Sequence, residues 1–403
     1  MISIFAVEDT AVQVAWTALP APHVQLEIGG RTCEVAAGPP AVLCRRRHRP
    51  APLPVPPGAM GGPGAVTIGG LEPGHRYDLT VTGPGVGRRL VEQVTTLPAP
   101  PGRRLDAFAT MNDIHLGEGG FGATHEIEDP WPLPAGGRPF TWRCLAAGVE
   151  EARQWGAEAL VLKGDLTAHG APAEFHELGA LLKGVGVPVL ATLGNHEFHD
   201  PETDGRSVLE EYGIDIPRQP WAVDRPGIRL IFALTAGPGH RSGDIDDRQR
   251  TQIVALAAAA PGPVFVVLHH QLQRWRLPTE YPPGVDGRQA RALLDELAAV
   301  NPAAFVASGH THRHRRRRHG PLPVVEVGST KDYPGTWTGY AVHEGGIRQV
   351  VRRIESPDVI AWTEGTSRAV RGIWGRWSPG RRDERCFTHS WPPASPGGVR
   401  RPA

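Results

Sequence analysis

The chain of 403 residues has almost no net charge: 43 Lys and Arg face 42 Asp and Glu, leaving +1. The missing positive excess excludes a dedicated nucleic-acid binder, which needs a basic footprint. With 40% hydrophobic residues, the near-zero charge also excludes an acidic disordered chain. Cysteine is scarce, and Cys33, Cys44, Cys144 and Cys386 lie far apart without a CxxC pair. That excludes a disulfide-dense scaffold and favours reduced thiols, with a Cys33–Cys44 pair left open. No apolar run approaches the roughly 20 residues of a membrane span. The opening Met1–Trp16 has neither the basic nor the apolar region of a signal peptide, so the expectation is a soluble, cytoplasmic protein. Lysine is confined to Lys163, Lys183 and Lys331 while arginine abounds, a compositional bias that carries little function.

Glycine and proline, by contrast, are plentiful (50 and 41), which predicts many turns, and the length predicts two or more domains. The first hundred residues alternate with a period of two in Ala11–Trp16, Val24–Ile28 and Tyr77–Val81, separated by Pro/Gly clusters. That is the pattern of short antiparallel strands in a sandwich. The turn Leu71–Tyr77 followed by a strand resembles the corresponding feature of fibronectin type III domains. The expected organisation is a fibronectin type III-like β-sandwich over 1–97, a stiff Pro-rich linker over 98–104, an α/β domain over 105–353 and a Trp/Arg-containing extension over 354–403. The strand–helix alternation fades after about residue 345, and the extension is expected to wrap on the main domain through its tryptophans, with disorder from Pro392 onward. An Arg-plus-Trp surface for a partner is the competing reading of that tail.

From Leu105 onward, apolar strands alternate with helical spacing: strands at Leu105–Met111, Ala159–Lys163, Pro188–Leu193, Arg229–Leu234, Val264–Leu268, Ala304–Ala307 and Val324–Val327, and helices at Trp142–Trp155, Ala173–Leu182, Arg248–Ala259 and Arg288–Val300. Five strands end in a polar cluster: Asn112-Asp113-Ile114-His115, Gly164-Asp165-Leu166-Thr167, Gly194-Asn195-His196-Glu197, His269-His270 and Gly309-His310-Thr311-His312. Thirteen of the 18 histidines lie between His115 and His319. Asp, Asn and His are ligand types for transition metals, and an α/β sheet gathers ligands at the carboxyl ends of its strands. A single such cluster is an ordinary turn; all of them along one sheet edge would converge on a site.

The order D-x-H, GD, GNH(E), H, GHxH resembles that of the calcineurin-like metallophosphoesterases, over roughly Leu105 to Arg353. The resemblance implies a four-layer α-β-β-α sandwich preceded by the small all-β sandwich. It also implies two metal ions (Fe, Mn or Zn): one on Asp113, His115, Asp165 and His312, the other on Asp165, Asn195, His269 and His310, with the Asp165 carboxylate shared. His269 rather than His270 aligns with the family position. A hydroxide between the metals would attack the phosphorus in line, since coordination lowers the pKa of water. By the same likeness His196 contacts the phosphate and assists the leaving group.

Gly164–Gly170 lacks the tyrosine that purple acid phosphatases place three residues after the aspartate, and lacks the GDxVDRG form of protein serine/threonine phosphatases. The motifs look instead like the cyclic-nucleotide and glycerophosphodiester phosphodiesterase branch. The implied partner is a small phosphate-ester substrate, contacted by Asn195, His196 and Arg313; a phosphomonoesterase of the same fold and a non-catalytic, metal-retaining binding module are the alternatives. The loop Gly117–Phe140, with His125, Glu126, Glu128, Asp129 and Trp131, is a candidate pocket wall or a mere cover for the sheet edge. The run Arg313–Arg318 reads as a solvated hairpin tip that would also raise the local potential for anionic esters.

Overall fold

The computed structural model describes residues 2–45, 51–122, 127–129, 137–199, 205–275 and 281–392. Two six-stranded sheets form its centre. In the first, Val189–Thr192, Leu160–Lys163 and Arg104–Met111 run parallel, and Thr336–His343, Gly346–Arg353 and Phe387–Ser390 continue it antiparallel. In the second, Ile228–Phe232, Val264–Val267, Phe305–Ser308 and Leu322–Glu326 are parallel, flanked by antiparallel edges at Trp221–Arg225 and Arg315–His319.

The strand sequences explain this placement. Val264-Phe-Val-Val267 is apolar throughout and buried throughout, as a parallel strand covered on both faces must be. Alternation then sorts the side chains. Phe108, Val161, Leu230, Phe265, Phe305 and Tyr340 pack into one apolar cluster contributed by both sheets. Met111, Leu160 and Leu162 pack with the helices Phe140–Trp155 and Pro172–Leu182, while Ile231, Val264 and Val266 pack with Asp247–Ala258 and Gly287–Val300. The latter two helices begin at aspartates whose side chains accept from the backbone, Asp246 from Gln249 N at 2.7 Å and Asp286 from Arg288 N at 2.8 Å.

Two expectations need correction. The strand–helix alternation ends well before residue 345: after Phe305–Ser308 four strands follow one another without a helix, and the last of them is the eight-residue Gly346–Arg353. Its arginines hid the pattern; Arg353 is buried with an ion pair to Glu364 at 3.3 Å, and Arg352 is half-buried with one to Glu8. Nor is the arginine run a hairpin tip. Arg315–His319 is an edge strand registered against Leu322–Glu326, and Arg315, Arg316 and Arg317 are half-buried along it.

The first hundred residues form a three-stranded sheet (Ile2–Val7, Ala11–Trp16, Gly64–Gly69) and a four-stranded one (Arg31–Ala36, His23–Ile28, Arg76–Gly83, Val86–Thr95). Val14, Trp16, Leu26, Ile28 and Leu79 share one apolar cluster there. The Tyr77 hydroxyl accepts a hydrogen bond from Glu72 N at 2.9 Å, closing the turn that precedes its strand. These residues are stitched to the larger sheets by polar contacts. The buried Gln13 amide donates to Arg353 O and to Glu355 Oε1, both at 2.9 Å, and accepts from Arg353 N at 2.8 Å. Behind the Gln13–Glu355 contact, Glu151 of the helix Phe140–Trp155 accepts from Trp337 Nε1 at 3.1 Å and from Glu355 N at 2.7 Å. Further along, Val42–Arg45 pairs with Ile127–Glu128, so the loop after the first polar motif is registered against the N-terminal part of the chain.

Tryptophan anchors the C-terminal residues. Trp362 stacks on Phe140 with centroids 3.9 Å apart and donates to Lys331 O at 2.6 Å. Phe387–Ser390 goes further and adds a strand to the first sheet. Cys33, Cys144 and Cys386 are free thiols. The disorder expected from Pro392 falls, beyond that residue, outside the described residues, as do His125, Glu126 and Trp131. Among the described residues no helix is long and apolar enough to cross a membrane.

Candidate metal centre

The polar motifs meet where the strands end, and the backbone is bent to make them meet. Seven non-glycine residues among those described have positive φ, and five of them are Asp113 (52°), His115 (48°), Asp165 (48°), His310 (68°) and His312 (50°). The left-handed region is disfavoured for residues with a Cβ, so it persists where the surroundings over-determine it, and such strain clusters at functional sites. Two glycines permit the crowding. A Cβ on Gly309 would stand 2.8 Å from Asp113 Oδ2, and one on Gly194 would stand 2.8 Å from His269 Nε2.

Four interlocking groups of side chains offer ligand atoms within 4.8 Å of one another: Asp113/His115/His312, His115/Asp165/His196, Asp113/Asp165/His269 and His269/His270/His310. Asp165 is the hub, with its Oδ2 lying 3.3 Å from His269 Nε2, 3.6 Å from His115 Nε2 and 3.9 Å from His196 Nε2. His312 Nε2 is 3.5 Å from Asp113 Oδ1, and His269 Nε2 is 3.1 Å from His310 Nδ1. Asn195 joins through its neighbour, since His196 N donates to Asp165 Oδ1 at 3.0 Å.

The fit to metal ions rests on unpartnered atoms. Both ring nitrogens of His115, Nε2 of His310 and Oδ1 of Asn195 are buried without a hydrogen-bond partner. A buried polar group left unpaired costs about 1–3 kcal/mol, so several converging on one point are incomplete without a ligand. Asp, His and Asn together are donors for Zn, Mn or Fe. Of the adjacent pair, His269 faces Asp165 through Nε2 at 3.3 Å with Nδ1 on Lys163 O, while His270 has Nδ1 on the Thr235 hydroxyl at 2.8 Å and Nε2 buried without a partner.

Electrostatics divides the imidazoles. Burial, with Lys331 and His196 nearby, holds His115 well below the usual histidine range, and burial with His270 and His269 does the same to His310. Burial and the His269 charge bring His270 down to about 3. Against the same burial, Asp165 carries His269 up to about 9, and Asp332 with Asp113 raises His312. Asp165 itself is held well below its ordinary value, because His269 and His196 outweigh the desolvation that opposes its charge. Neutral imidazoles and an ionised carboxylate are the states that ligate metals.

His196 is half-exposed at the rim. Its Nδ1–H donates to Ala168 O at 2.8 Å, which turns Nε2 toward Asp165 and open space. Arg313 lies on the C-terminal residues, its guanidinium over the Trp377 ring at 5.1 Å.

Supporting residues escaped the sequence reading. Glu197, fully buried, accepts from Asp165 N at 3.0 Å, Gly194 N at 2.6 Å and Thr167 N at 2.8 Å, tying two motifs together. Lys163 Nζ donates to Thr110 Oγ1 at 3.0 Å and Asn112 Oδ1 at 2.5 Å, while burial drops its pKa to about 7 despite Asp113. Asp332 Oδ2 receives His312 Nδ1 at 2.6 Å, and its Oδ1 accepts from Trp374 Nε1 at 3.0 Å. Asp332 had a signal: Gly328-Ser-Thr-Lys-Asp332 is a polar cluster directly after the strand Leu322–Glu326, on the same logic as the other five. Trp374 had none, since nothing near it in sequence points to a site.

Known proteins resemble the chain in this region. Curated relatives include a probable cyclic nucleotide phosphodiesterase of Rhodococcus erythropolis, 31% identical over 182 residues, covering 43% of this chain and 57% of the relative. A cAMP/cGMP dual specificity phosphodiesterase of Mycobacterium tuberculosis is 28% identical over 195 residues, covering 45% and 58%. The chain thus spans less than two thirds of the length of these relatives. Among solved structures, a purple acid phosphatase from yellow lupin (Lupinus luteus) seeds aligns with 91% of this chain and 76% of its own at 13% identity and a TM-score of 0.45. Residues 107–314, which hold every motif from Asp113 to His312, match the family model for calcineurin-like phosphoesterases, and the chain belongs to that family.

Proposed function

We propose that this chain is a dinuclear metal-dependent phosphodiesterase. Asp113, His115, Asp165 and His312 would hold one ion, and Asp165, Asn195, His269 and His310 the other, through the shared Asp165 carboxylate. The observation that carries the reading is that Asp165 Oδ2 lies within 3.9 Å of three histidine rings while His115, His310 and Asn195 keep buried atoms without a partner, His115 and His310 on left-handed backbone. Bound there, the ions supply a water of lowered pKa and Lewis-acid stabilisation of the phosphoryl oxygens.

The chain's own residues do the rest. The Asp165 carboxylate would hold the cations and offset their repulsion. The Ala168 carbonyl fixes the His196 tautomer, so Nε2 is the nitrogen that faces an ester; protonated, it would donate to the departing alkoxide. Glu197 pins the backbone on either side, so the ligands keep their spacing without moving on binding. The cyclic nucleotide phosphodiesterases among the relatives support a diester, with a 3′,5′-cyclic nucleotide as the first substrate to try. The apolar clusters on both faces of each sheet support a four-layer sandwich, and the Tyr77 turn supports a fibronectin type III-like N-terminal sandwich.

The test is turnover by the purified chain with Mn²⁺ on 3′,5′-cyclic AMP, bis(p-nitrophenyl) phosphate and p-nitrophenyl phosphate, with and without chelator. Chelator-sensitive hydrolysis of the diesters is expected. Preference for the monoester would make it a phosphomonoesterase, and no turnover on any of the three would sink the enzymatic reading. His196→Ala should retain bound metal and lose turnover.

A further inference from the structure

We propose that a cleft along the arginine-bearing edge strand is a binding site for a compact polyphosphate anion, separate from the metal centre. The cleft, of about 380 Å³, lies between Arg315–His319, the first turns of the helix Gly287–Val300 and the segment Gln271–Trp275. Among the described residues its lining holds Arg274, Arg291, Arg315, Arg317, Arg318 and His319, and not one carboxylate.

Composition does not account for this. Acidic and basic residues are equal in number within one over the whole chain, so a cavity that draws five arginines and no acid is a local segregation. Strand geometry produces it. Successive side chains alternate faces, so Arg315, Arg317 and His319 share the cleft face, while Arg316 turns the other way onto the Phe387 ring at 4.2 Å. Arg318 reaches the cleft from beside the turn, and Arg291 reaches it from the helix.

Partial neutralisation comes from outside the lining. Glu326 lies 3.5 Å from Arg315, and Asp295 takes His319 Nε2 at 2.6 Å. Arg317 is aimed by a hydrogen bond to Leu272 O, and Arg318 Nη2 lies 3.5 Å from Pro321 O. No ion pair among the described residues is made by Arg274, Arg291 or Arg318. Like charges gathered in a walled cleft repel one another and focus a positive potential, which an anion relieves. Guanidinium groups approaching from several directions suit phosphate oxygens, which they bind in bidentate fashion. The volume is that of a small-ligand pocket rather than a macromolecular groove. Beside it, the exposed Trp275 ring carries the Arg274 guanidinium at 4.8 Å, a stacking surface within reach of a base. The shared chemistry is therefore a linear di- or triphosphate, free or as the tail of a nucleotide.

The inference does not depend on the metal-site reading. The experiment titrates the full chain, in buffer with excess Mg²⁺, with tripolyphosphate and with a non-hydrolysable ATP analogue by calorimetry at low and at physiological salt. Binding that weakens steeply with salt is expected, and Arg291→Glu combined with Arg318→Glu should weaken it at least tenfold with an unchanged melting temperature. Asn195→Ala, in the metal centre, should leave it intact. A nucleotide analogue that binds more tightly than tripolyphosphate, and loses that advantage in Trp275→Ala, identifies a nucleotide; equal affinities identify free polyphosphate. No binding by the wild type, wild-type affinity in the charge-reversed variant, or loss of binding in Asn195→Ala would each overturn the proposal.

Discussion

Two regions of this molecule bury many polar groups, and they do so to opposite ends. At the seam between the first hundred residues and the larger sheets, Gln13, Glu8, Glu151, Glu355 and Arg353 all find partners within the chain. At the strand ends, His115, His310 and Asn195 keep buried atoms that the chain does not satisfy, the two histidines on backbone held at positive φ. Buried polar groups that are fully paired specify a structure, whereas unpaired ones are retained for something the chain itself does not supply. Proteins accept destabilised local choices of this kind at working sites.

If the comparison holds, the two regions must fail differently when mutated. The largest effect is expected from Asp165→Asn: chelator-sensitive diester turnover should fall on the order of 10³-fold or more, because the water activation is lost. The melting temperature of the metal-free protein should fall only modestly: the substitution removes the ion pair with His269 but keeps the side chain's size and an acceptor oxygen. Next comes Asp332→Asn, which frees the His312 ring. Metal affinity, read by competition with a chelating dye, should drop about 10–100-fold, the usual effect of removing a partner behind a ligating histidine. Trp374→Phe keeps the packing and removes only the hydrogen bond to Asp332, so its loss of metal affinity should be smaller and in the same direction.

The seam should behave in reverse. Gln13→Ala leaves Arg353 N and O without their side-chain partner and should destabilise the fold by about 1–3 kcal/mol in denaturant titration, with kcat/KM unchanged. A large activity loss there, or a large stability loss at Asp165, would break the distinction. The smallest effect is a pH slope. Burial, reinforced by the charge on Glu355, lifts the Glu151 carboxyl from 4.5 to about 7. Its folded value exceeds its unfolded value, so the folded state holds the proton more tightly, and stability falls as pH rises from about 4.5 to about 7. Glu151→Gln should flatten the melting temperature against pH across that window without altering turnover.

Legibility in the sequence followed the same division. Apolar strands such as Val264–Val267 and the motifs that follow them were readable because period and motif order are local properties. The strand Gly346–Arg353 was not, because its arginines are covered by tertiary partners, Glu364 for Arg353 and the distant Glu8 for Arg352, and such pairing leaves no periodic pattern within the strand. The arginine run misled for a related reason: a half-buried edge strand and a solvated turn look alike when the charge alone is read. Of the site, the residues that face the centre were legible by type and spacing. Those behind them divide: Glu197 and Asp332 sit in or beside recognisable clusters, while Trp374 acts through a tertiary contact that no spacing rule foresees.

The C-terminal support for the site bears on how the protein is made. Ser329 Oγ bonds to Asp113 O across 216 residues of chain, and Asp332 and Trp374 follow it. A ribosome releasing the chain from its N-terminus delivers Asp113 early and its backing late. On the proposed reading, metal would be loaded late, once translation is nearly over, and chains truncated before Trp374 should emerge with His312 poorly fixed and a weakened affinity for metal.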